Sequence, residues 1–215
     1  MKTLFVIAAL LLTSLPTSLV HAGSLNGLWI GEYQCRQGKT ALALTIGPGP
    51  DGKTSAILTF SAHPENSKVP TGSYVADADI DAKAGTISLK PNRWLIQPSG
   101  YRMVAAKGKL AKKGRIEGQL VGAPGCTTFT VHRRARKSKL KWSKGIEGIW
   151  TGQYTCAQGK TAVAVTISRG GKKGVFQFAP YRKNKKTPVG LYRLRIKTGE
   201  KGAIKIDPAD WRLRP

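Results

Sequence analysis

The chain has 215 residues and a formal net charge of +25, from 36 Lys and Arg against 11 Asp and Glu. Of its 3 His, His21 lies near the N-terminus, which leaves His63 and His132 for the rest of the chain. The sequence therefore does not indicate a catalytic or metal-binding cluster of histidines. A positive field of this size attracts polyanions and repels cationic partners, whatever the fold.

The N-terminal residues have the composition of a secretory signal. Lys2 precedes an apolar run over 4–12, and Ala22, with Val20 two residues before it, suits cleavage by signal peptidase after Ala22. The run is too short to span a bilayer as a helix. We expect residues 1–22 to be a signal peptide and the mature protein to be exported, soluble, and periplasmic or extracellular.

The chain begins the same sequence twice. Gly27–Cys35 returns as Gly148–Cys156, and each stretch continues into Gln-Gly-Lys-Thr-Ala. The similarity extends to Pro98 in the first copy and to Pro215 in the second. Such self-similarity indicates two copies of one fold. We expect a complete β domain over 23–133, a basic linker over 134–147 and a truncated second copy, incomplete at its C-terminal end, over 148–215.

Apolar and polar residues alternate over short runs punctuated by Gly, Pro and Asp, which is typical of antiparallel strands. In the first copy we predict eight strands, over 27–36, 40–47, 54–61, 72–80, 85–90, 101–110, 114–121 and 127–133. Strands of this spacing suit a barrel or a sandwich. We predict an all-β protein built as a tandem repeat of a small antiparallel β-barrel, with a sandwich as the second choice.

The three cysteines bear on that choice. Cys35 ends the first predicted strand and Cys126 precedes the last, and these strands are antiparallel neighbours in a closed up-and-down barrel. Export makes such a pair oxidisable, so we predict a Cys35–Cys126 disulfide that locks the seam. Cys156 repeats Cys35 without a counterpart of Cys126, and we expect a free thiol or a link between two chains.

The second copy has counterparts of only the first five strands. As a barrel fragment it would leave two strand edges unpaired and an apolar face uncovered, which invites strand addition. The predicted face contains Trp150, Tyr154, Val163, Val165 and Phe178. Three resolutions are open: a partner chain supplies the missing strands, the first domain covers the gap, or the second copy is a degenerate reading frame.

The positive charge is concentrated in the linker and the second copy. Residues 148–215 carry 15 basic and 3 acidic side chains, whereas residues 23–133 carry 14 and 7. The basic linker is either solvated chain or a surface for an anionic membrane or polymer. The predicted anion-binding residues are Lys137, Lys139, Lys141, Trp142, Lys183, Lys185, Lys186, Lys39 and Lys160.

Two further features of the first copy have alternative interpretations. Trp94 lies between Pro91 and Pro98 in a predicted loop, and it is our candidate for stacking on a sugar ring, with a core position as the alternative. Asp77, Asp79 and Asp81 share one predicted strand face, which we interpret as solvated rather than metal-binding. The second copy has Arg193, Arg195 and Lys197 at matching positions, so the acidic face could dock on the basic one.

No close carboxylate pair, His cluster or nucleophile with an adjacent base stands out, so we expect no enzyme activity and no cofactor. The leading prediction is an exported, non-catalytic binding protein for an anionic polymer or surface: a cell-wall polymer, lipopolysaccharide or nucleic acid. The alternative is an envelope interaction or inhibitor protein that binds a partner protein or a second copy through the open edge. A barrel that holds a small apolar ligand is a third interpretation.

Overall fold

The computed structural model describes residues 25–133, 145–181 and 184–215. These residues form thirteen β-strands and one short 3₁₀ helix, Glu200–Gly202, and the strands are arranged in two sheets. The prediction of an all-β protein is confirmed. In this part of the chain, no helix is long and apolar enough to cross a membrane. The predicted signal peptide, residues 1–22, lies outside the described residues.

The first sheet is a closed barrel of eight antiparallel strands in chain order, as the sequence predicts in preference to a sandwich. Each strand pairs with the next along the chain, and β1 pairs with β8 to close the barrel. The strands are β1 (Gly27–Cys35), β2 (Gly38–Pro48), β3 (Thr54–Ser61), β4 (Gly72–Asp81), β5 (Thr86–Ile96), β6 (Ala105–Ala111), β7 (Arg115–Val121) and β8 (Thr128–Arg133).

Alternate residues of these strands point into the barrel and fill it. Trp29 and Leu44, on neighbouring strands, are fully buried, and so are Ile116 and Val131 on the strands that close the barrel. Full burial of one such side chain contributes roughly 1.5–3 kcal/mol. The indole nitrogen of Trp29 donates a hydrogen bond to the carbonyl of Leu25 (2.9 Å), so its one polar group is satisfied. The interior is a packed core.

The seam between β1 and β8 is covalently closed. Cys35 and Cys126 form a disulfide across a sequence separation of 91 residues, as predicted from the topology of a closed barrel. The backbone pairing continues to this rim, because the amide of Thr127 donates to the carbonyl of Gln34 (2.9 Å). The bridge therefore joins the first strand of the barrel to the residues that lead into its last strand.

The second sheet has five antiparallel strands and does not close. Its strands are β9 (Gly148–Cys156), β10 (Gly159–Ile167), β11 (Lys173–Pro180), β12 (Gly190–Thr198) and β13 (Ile204–Leu213). They lie in the order β13-β12-β11-β10-β9, so β9 and β13 are edge strands with no partner on one side among the described residues. The five strands are the number predicted for residues 148–215, and the interpretation of this sheet as a truncated copy of the barrel stays a prediction.

The second sheet packs on the outside of the barrel. Two apolar clusters join them: Leu28, Ile30, Ala41 and Ala43 with Ile149, Ala162 and Ala164; and Ile57, Val75 and Leu95 with Val175, Ala179, Val189, Leu191 and Leu213. Polar contacts support the packing, since Val189 N–H donates to the carbonyl of Pro48 (2.9 Å) and Gln177 Nε2 donates to that of Ala43 (3.3 Å). The barrel thus covers one face of the second sheet, called here the outer face.

This packing corrects two expectations. The first domain does not cover the predicted apolar face of the second copy, because it lies against the opposite side of the sheet. The hypothesis of acidic-to-basic docking is also wrong: no ion pair between described residues joins the aspartates of β4 to the basic residues of β12. Arg193 pairs instead with Asp210 on the neighbouring strand (2.6 Å). Apolar burial holds the two sheets together.

The predicted loop around Trp94 is also corrected. Strand β5 continues past Pro91 to Ile96, with shifts in register where β4 and β5 pair near the proline. Pro cannot donate a hydrogen bond to a sheet, and irregular pairing is where a strand tolerates it. The ring of Trp94 is half-buried and contacts Phe60 (6.3 Å) and Tyr74 (5.5 Å) between centroids. Trp94 therefore lies in a strand and packs on the barrel core.

Candidate functional site: the inner face and rim of the second sheet

The face of the second sheet that points away from the barrel has exposed apolar residues at both edges. We call it the inner face, because its residues match those that point into the barrel. Trp150 on β9 is 53% exposed, and Ile204, Ile206 and Trp211 on β13 are 45%, 44% and 48% exposed. The matching residues of the first copy are Trp29 (0%), Ile87 (2%), Leu89 (2%) and Trp94 (half-buried). The same residue types are thus covered in the barrel and uncovered in the second sheet.

Aromatic rings run across this face from one edge strand to the other. Tyr154 on β9 contacts Phe176 (5.8 Å), Phe176 stacks on Tyr192 (4.7 Å), and Tyr192 meets Trp211 on β13 (5.0 Å between centroids). Phe178 also contacts Trp211 (6.2 Å). Partial burial in this cluster raises the pKa of the Tyr154 and Tyr192 phenols. The ring contacts link β9, β11, β12 and β13 and leave an apolar surface open to solvent.

Strand β9 presents both an open backbone edge and a free thiol. It pairs with β10 from Gly148 to Cys156, and no described strand pairs with its other side. The indole N–H of Trp150, on this strand, donates a hydrogen bond to the carbonyl of Ile146 (2.7 Å). Cys156, at the end of β9, is exposed and is not in a disulfide. Cys35 occupies the matching position on β1 and is buried in the bridge to Cys126.

A glycine marks the same place on both strands with different surroundings. At Gly31 a Cβ atom would overlap the carbonyl of Thr130 on β8, so the close approach of these two strands requires glycine. At Gly152 the nearest atom to such a Cβ is Cγ1 of Val163 at 3.4 Å, an ordinary contact. The second sheet thus has a glycine that its described neighbours do not require.

The rim at the end of β9 is basic. The side chain of Asn184 donates to the carbonyls of Gln158 (2.7 Å) and Lys160 (3.0 Å). These bonds hold the loop that carries Lys185 and Lys186 against the β9–β10 turn, which carries Lys160. All three lysines are exposed, and no ion pair among the described residues neutralises them. Two turns distant in sequence thereby present their charges at one rim.

The corresponding rim of the barrel has an ion pair that the rim of the second sheet lacks within the described ranges. Asn66 ties its loop to the β1–β2 turn with hydrogen bonds to the carbonyls of Gln37 and Lys39. There, Lys39 Nζ binds the Glu65 carboxylate (2.9 Å), which lowers the pKa of Glu65 and raises that of Lys39. The sequence repeat has Lys183 at the position of Glu65. The second copy has therefore exchanged the acidic partner for another base.

A second basic patch lies at the far end of the outer face. Lys173 is directly opposite Arg195, and Lys197 is directly opposite Lys205, so each pair points the same way. Like charges in such cross-strand positions are destabilising. Asp207, opposite Arg195, is the one acidic residue in register with this patch, and its carboxylate is 3.8 Å from Lys205 Nζ.

The other predicted site residues are distributed as follows. Lys137, Lys139, Lys141 and Trp142 of the linker, and Lys183, lie outside the described residues. The barrel and the second sheet each contribute one rim lysine, Lys39 and Lys160, and Lys39 is ion-paired. Trp94 belongs to the periphery of the barrel core.

Two of the three aspartates of β4 have local structural roles. Asp77 accepts a hydrogen bond from the Asn92 side chain (3.0 Å), and Asp81 accepts from the amides of Lys83 and Ala84 in the following turn (both 2.9 Å). Across the described ranges, no group of three or more His, Cys, Asp or Glu is placed to hold a metal ion.

Sequence reasoning found one edge of the inner face and missed the other. Trp150, Tyr154 and Phe178 were predicted, whereas Phe176, Tyr192 and the β13 residues Ile204, Ile206 and Trp211 were not. The repeat contained the signal, because Trp211 matches Trp94 and Ile204 matches Ile87. Neither a protein-family model nor a curated protein matches the sequence, so the site is interpreted from its own chemistry.

Proposed function

We propose that the protein is an exported, non-catalytic binding protein for an anionic polymer, and that the basic rim of the second sheet makes the contact. The observation that carries the proposal is the contrast between the two rims. The barrel pairs Lys39 with Glu65, whereas the second sheet gathers Lys160, Lys185 and Lys186 without an acidic partner among the described residues.

Clustered lysines favour ligands that are themselves polyanions. An ammonium group is a strongly hydrated point charge without the planar fork of arginine, so it recognises charge rather than ligand shape. A polymer with regularly spaced phosphates or carboxylates engages several lysines at once and releases counterions. Anionic cell-wall polymers, lipopolysaccharide and nucleic acid share this chemistry. Solubility alone does not require an imbalance as large as that of the second copy.

Export and soluble localisation are part of the same proposal. The Cys35–Cys126 disulfide is compatible with an oxidising compartment, and the first 22 residues have the composition of a signal peptide. A polyanion-binding protein in that compartment would meet the anionic polymers of the envelope. The basic linker, which contains Lys137, Lys139, Lys141 and Trp142, would extend the contact along such a polymer.

Charge reversal at the rim tests this proposal with a matched control. We expect Lys160→Glu with Lys186→Glu to lower the salt concentration at which the protein elutes from immobilised heparin, lipopolysaccharide and duplex DNA. On DNA, the log–log dependence of affinity on salt should lose about two units of slope, one for each phosphate contact removed. Neutral dextran should retain neither protein.

The control is Lys39→Glu with Lys68→Glu, which makes the same charge change at the matching positions of the barrel rim. We expect this control to change elution much less. Equal shifts from the two double variants would show that total charge, and not the rim, drives binding. Absence of retention of the unmodified protein on every polyanion at low salt would contradict the proposal itself.

A second candidate function has an observation of its own. The exposed inner face and the free edge of β9 favour binding of a partner protein, as in an envelope interaction or inhibitor protein. In the barrel, β8 pairs with β1, the strand that matches β9, and this pairing indicates which residues a partner strand would need.

A further inference from the structure

We propose that the inner face and the β9 edge form a strand-accepting site. In this site an extended segment of a partner polypeptide adds antiparallel to β9, and a cysteine at its start forms a disulfide with Cys156. The proposal goes beyond polyanion binding, because it uses the apolar face and a backbone edge instead of the lysine side chains of the rim.

The first argument comes from burial at matched positions. The residue matching Trp150 is fully buried in the barrel, where β6, β7 and β8 close the sheet. In the second sheet, Trp150 is 53% exposed beside an edge that has no strand partner among the described residues. An exposed strand edge beside an apolar face is a template for an added strand. Covering it would bury aromatic surface and satisfy backbone hydrogen bonds in one step.

The second argument is that the barrel shows how an added strand fits. On β1, Phe129 of β8 lies opposite Tyr33, and Val131 lies opposite Gly31. The Gly31 backbone is in such close contact with β8 that a side chain there would clash. The acceptor strand β9 has Tyr154 and Gly152 at these two positions. The partner segment would therefore place an aromatic residue opposite Tyr154 and a β-branched residue opposite Gly152.

The third argument is the position of the free thiol. Cys126 precedes Phe129 by three residues and bonds Cys35, and Cys156 occupies the position of Cys35 on β9. A partner with the spacing Cys-x-x-Phe-x-Val would bring its own sulfur to Cys156 as it adds to the edge. If the partner cysteine is held as a mixed disulfide, the Cys156 thiolate attacks its sulfur. The new S–S bond then forms as the old one breaks, and the small thiolate leaves.

Charge favours a partner with acidic outward-facing residues. Glu32 of β1 lies opposite Thr130 of β8 and its carboxylate contacts His63 Nε2 (3.0 Å), whereas β9 has the neutral Gln153 at the position of Glu32. Lys160 of β10 lies opposite Thr155 of β9, so a lysine stands one strand away from the acceptor edge, which itself has no acidic residue from Gly148 to Cys156. Complementary charge steers association and suppresses wrong partners.

A second copy of this chain fits the site less well. If two β9 strands paired antiparallel about their centres, each Cys156 would lie about 26 Å along the strands from its counterpart, at about 3.3 Å per residue. Both thiols would then stay free. A separate donor segment uses the edge, the face and the thiol together.

The test uses a synthetic peptide with the sequence of residues 124–133, which contains Cys126, Phe129 and Val131. Its cysteine is activated as a mixed disulfide with thionitrobenzoate, whose release is followed by colour, and the adduct on the full chain is identified by mass. The control peptide keeps the composition and the position of the cysteine but scrambles the other residues. Both are used at high salt, which screens the electrostatic interaction of either peptide with the basic protein.

We expect the templated peptide to form the Cys156 adduct at least tenfold faster than the scrambled one, with a rate that saturates as peptide concentration rises. Gly152→Ala should remove this advantage without slowing the scrambled peptide, because the new methyl group blocks the strand and leaves the thiol accessible. Cys156→Ser should give no adduct. At low salt, a peptide with Thr128→Glu and Thr130→Glu should react faster still.

Equal rates for the templated and scrambled peptides would overturn the proposal, and so would full templated capture by Gly152→Ala. A dimer that excludes the peptide until Trp211→Ala dissociates it would assign the face to self-association instead. Equal rates for the acidic and unmodified peptides at low salt would overturn the charge preference. Since these rates do not depend on polymer retention, either proposal can fail alone.

Discussion

Gly31 and Gly152 show how one residue type can be required at one site and tolerated at its match. A methyl group at Gly31 would overlap the carbonyl of Thr130, whereas the space at Gly152 accepts a methyl group at ordinary contact distance. The difference lies in the strand that runs beside β1 and is missing beside β9 among the described residues.

We therefore predict opposite effects of the same substitution on stability. Gly31→Ala should lower the free energy of unfolding by about 1–3 kcal/mol, since the β1–β8 contact must open to admit the methyl group. Gly152→Ala should be neutral or slightly stabilising, because alanine restricts the unfolded chain. Denaturant unfolding of the two variants measures this directly. A loss at Gly152 as large as that at Gly31 would mean that another segment already lies against β9.

Residue-level prediction from sequence succeeded where geometry leaves little choice. Cys35 and Cys126 were paired correctly because a closed barrel brings its first and last strands together. Trp94 was placed wrongly because Pro91 and Pro98 indicate a loop, and a proline at an irregular strand pairing gives the same local sequence. Only the pairing of β4 with β5 distinguishes the two cases, and it depends on residues distant in sequence.

At the scale of elements, the β1–β8 seam is the contact that distinguishes the barrel from the second sheet. The disulfide across the seam closes a loop of 91 residues in sequence separation. In the chain-entropy model, a loop of that length is worth about 4–5 kcal/mol. The seam therefore combines covalent closure with strand pairing and core packing.

We predict that Cys35→Ser combined with Cys126→Ser will lower the free energy of unfolding by roughly 3–5 kcal/mol. Cys156→Ser, which breaks no bridge, should change stability by less than about 0.5 kcal/mol. Urea unfolding of both variants with and without reductant provides the measurement. Reductant should destabilise the unmodified chain and leave the double variant unchanged, and a double variant as stable as the parent would contradict the account of the seam.

The strands were predictable from the sequence because their residues alternate between the apolar interior of the barrel and its more polar outer surface. Predicted and observed strands agree within one to four residues at most boundaries, and β3 matches at both ends. The main error was the length of β5, which runs to Ile96 and not to residue 90. Alternation fails there because Pro91, Asn92 and Arg93 interrupt the apolar residues.

At the scale of the whole molecule, the second sheet is a layer with two apolar faces. Its outer face is buried on the barrel through small and branched residues such as Ala162, Ala164 and Val175, and its inner face carries the aromatic rings. The sequence predicted the apolar inner face but not the role of the outer one. The run Thr-Ala-Val-Ala-Val-Thr-Ile in β10 is apolar on both sides, a pattern of strands buried on both faces.

That pattern did not specify which face of the second sheet the barrel covers, because this depends on how the sheet packs against the barrel. Gly47 illustrates the missing information: a Cβ atom there would lie 2.7 Å from Cδ of Pro180 on the second sheet. Nothing in the local sequence around Gly47 indicates that a second sheet approaches it. The rim lysines were predicted individually, but their convergence depends on the hydrogen bonds of Asn184.

Amide hydrogen exchange of β9 against β1 in the purified monomer, with the Cys35–Cys126 disulfide intact, tests most directly the claim that the β9 edge of the second sheet is open. The two strands have closely similar sequences, and within the described ranges β1 is paired on both sides whereas β9 is paired on one. We predict that the β9 amides that point away from β10 exchange at least roughly tenfold faster than their matches on β1. Equal protection of the two strands would contradict the account, since it would mean that the edge of β9 is already paired.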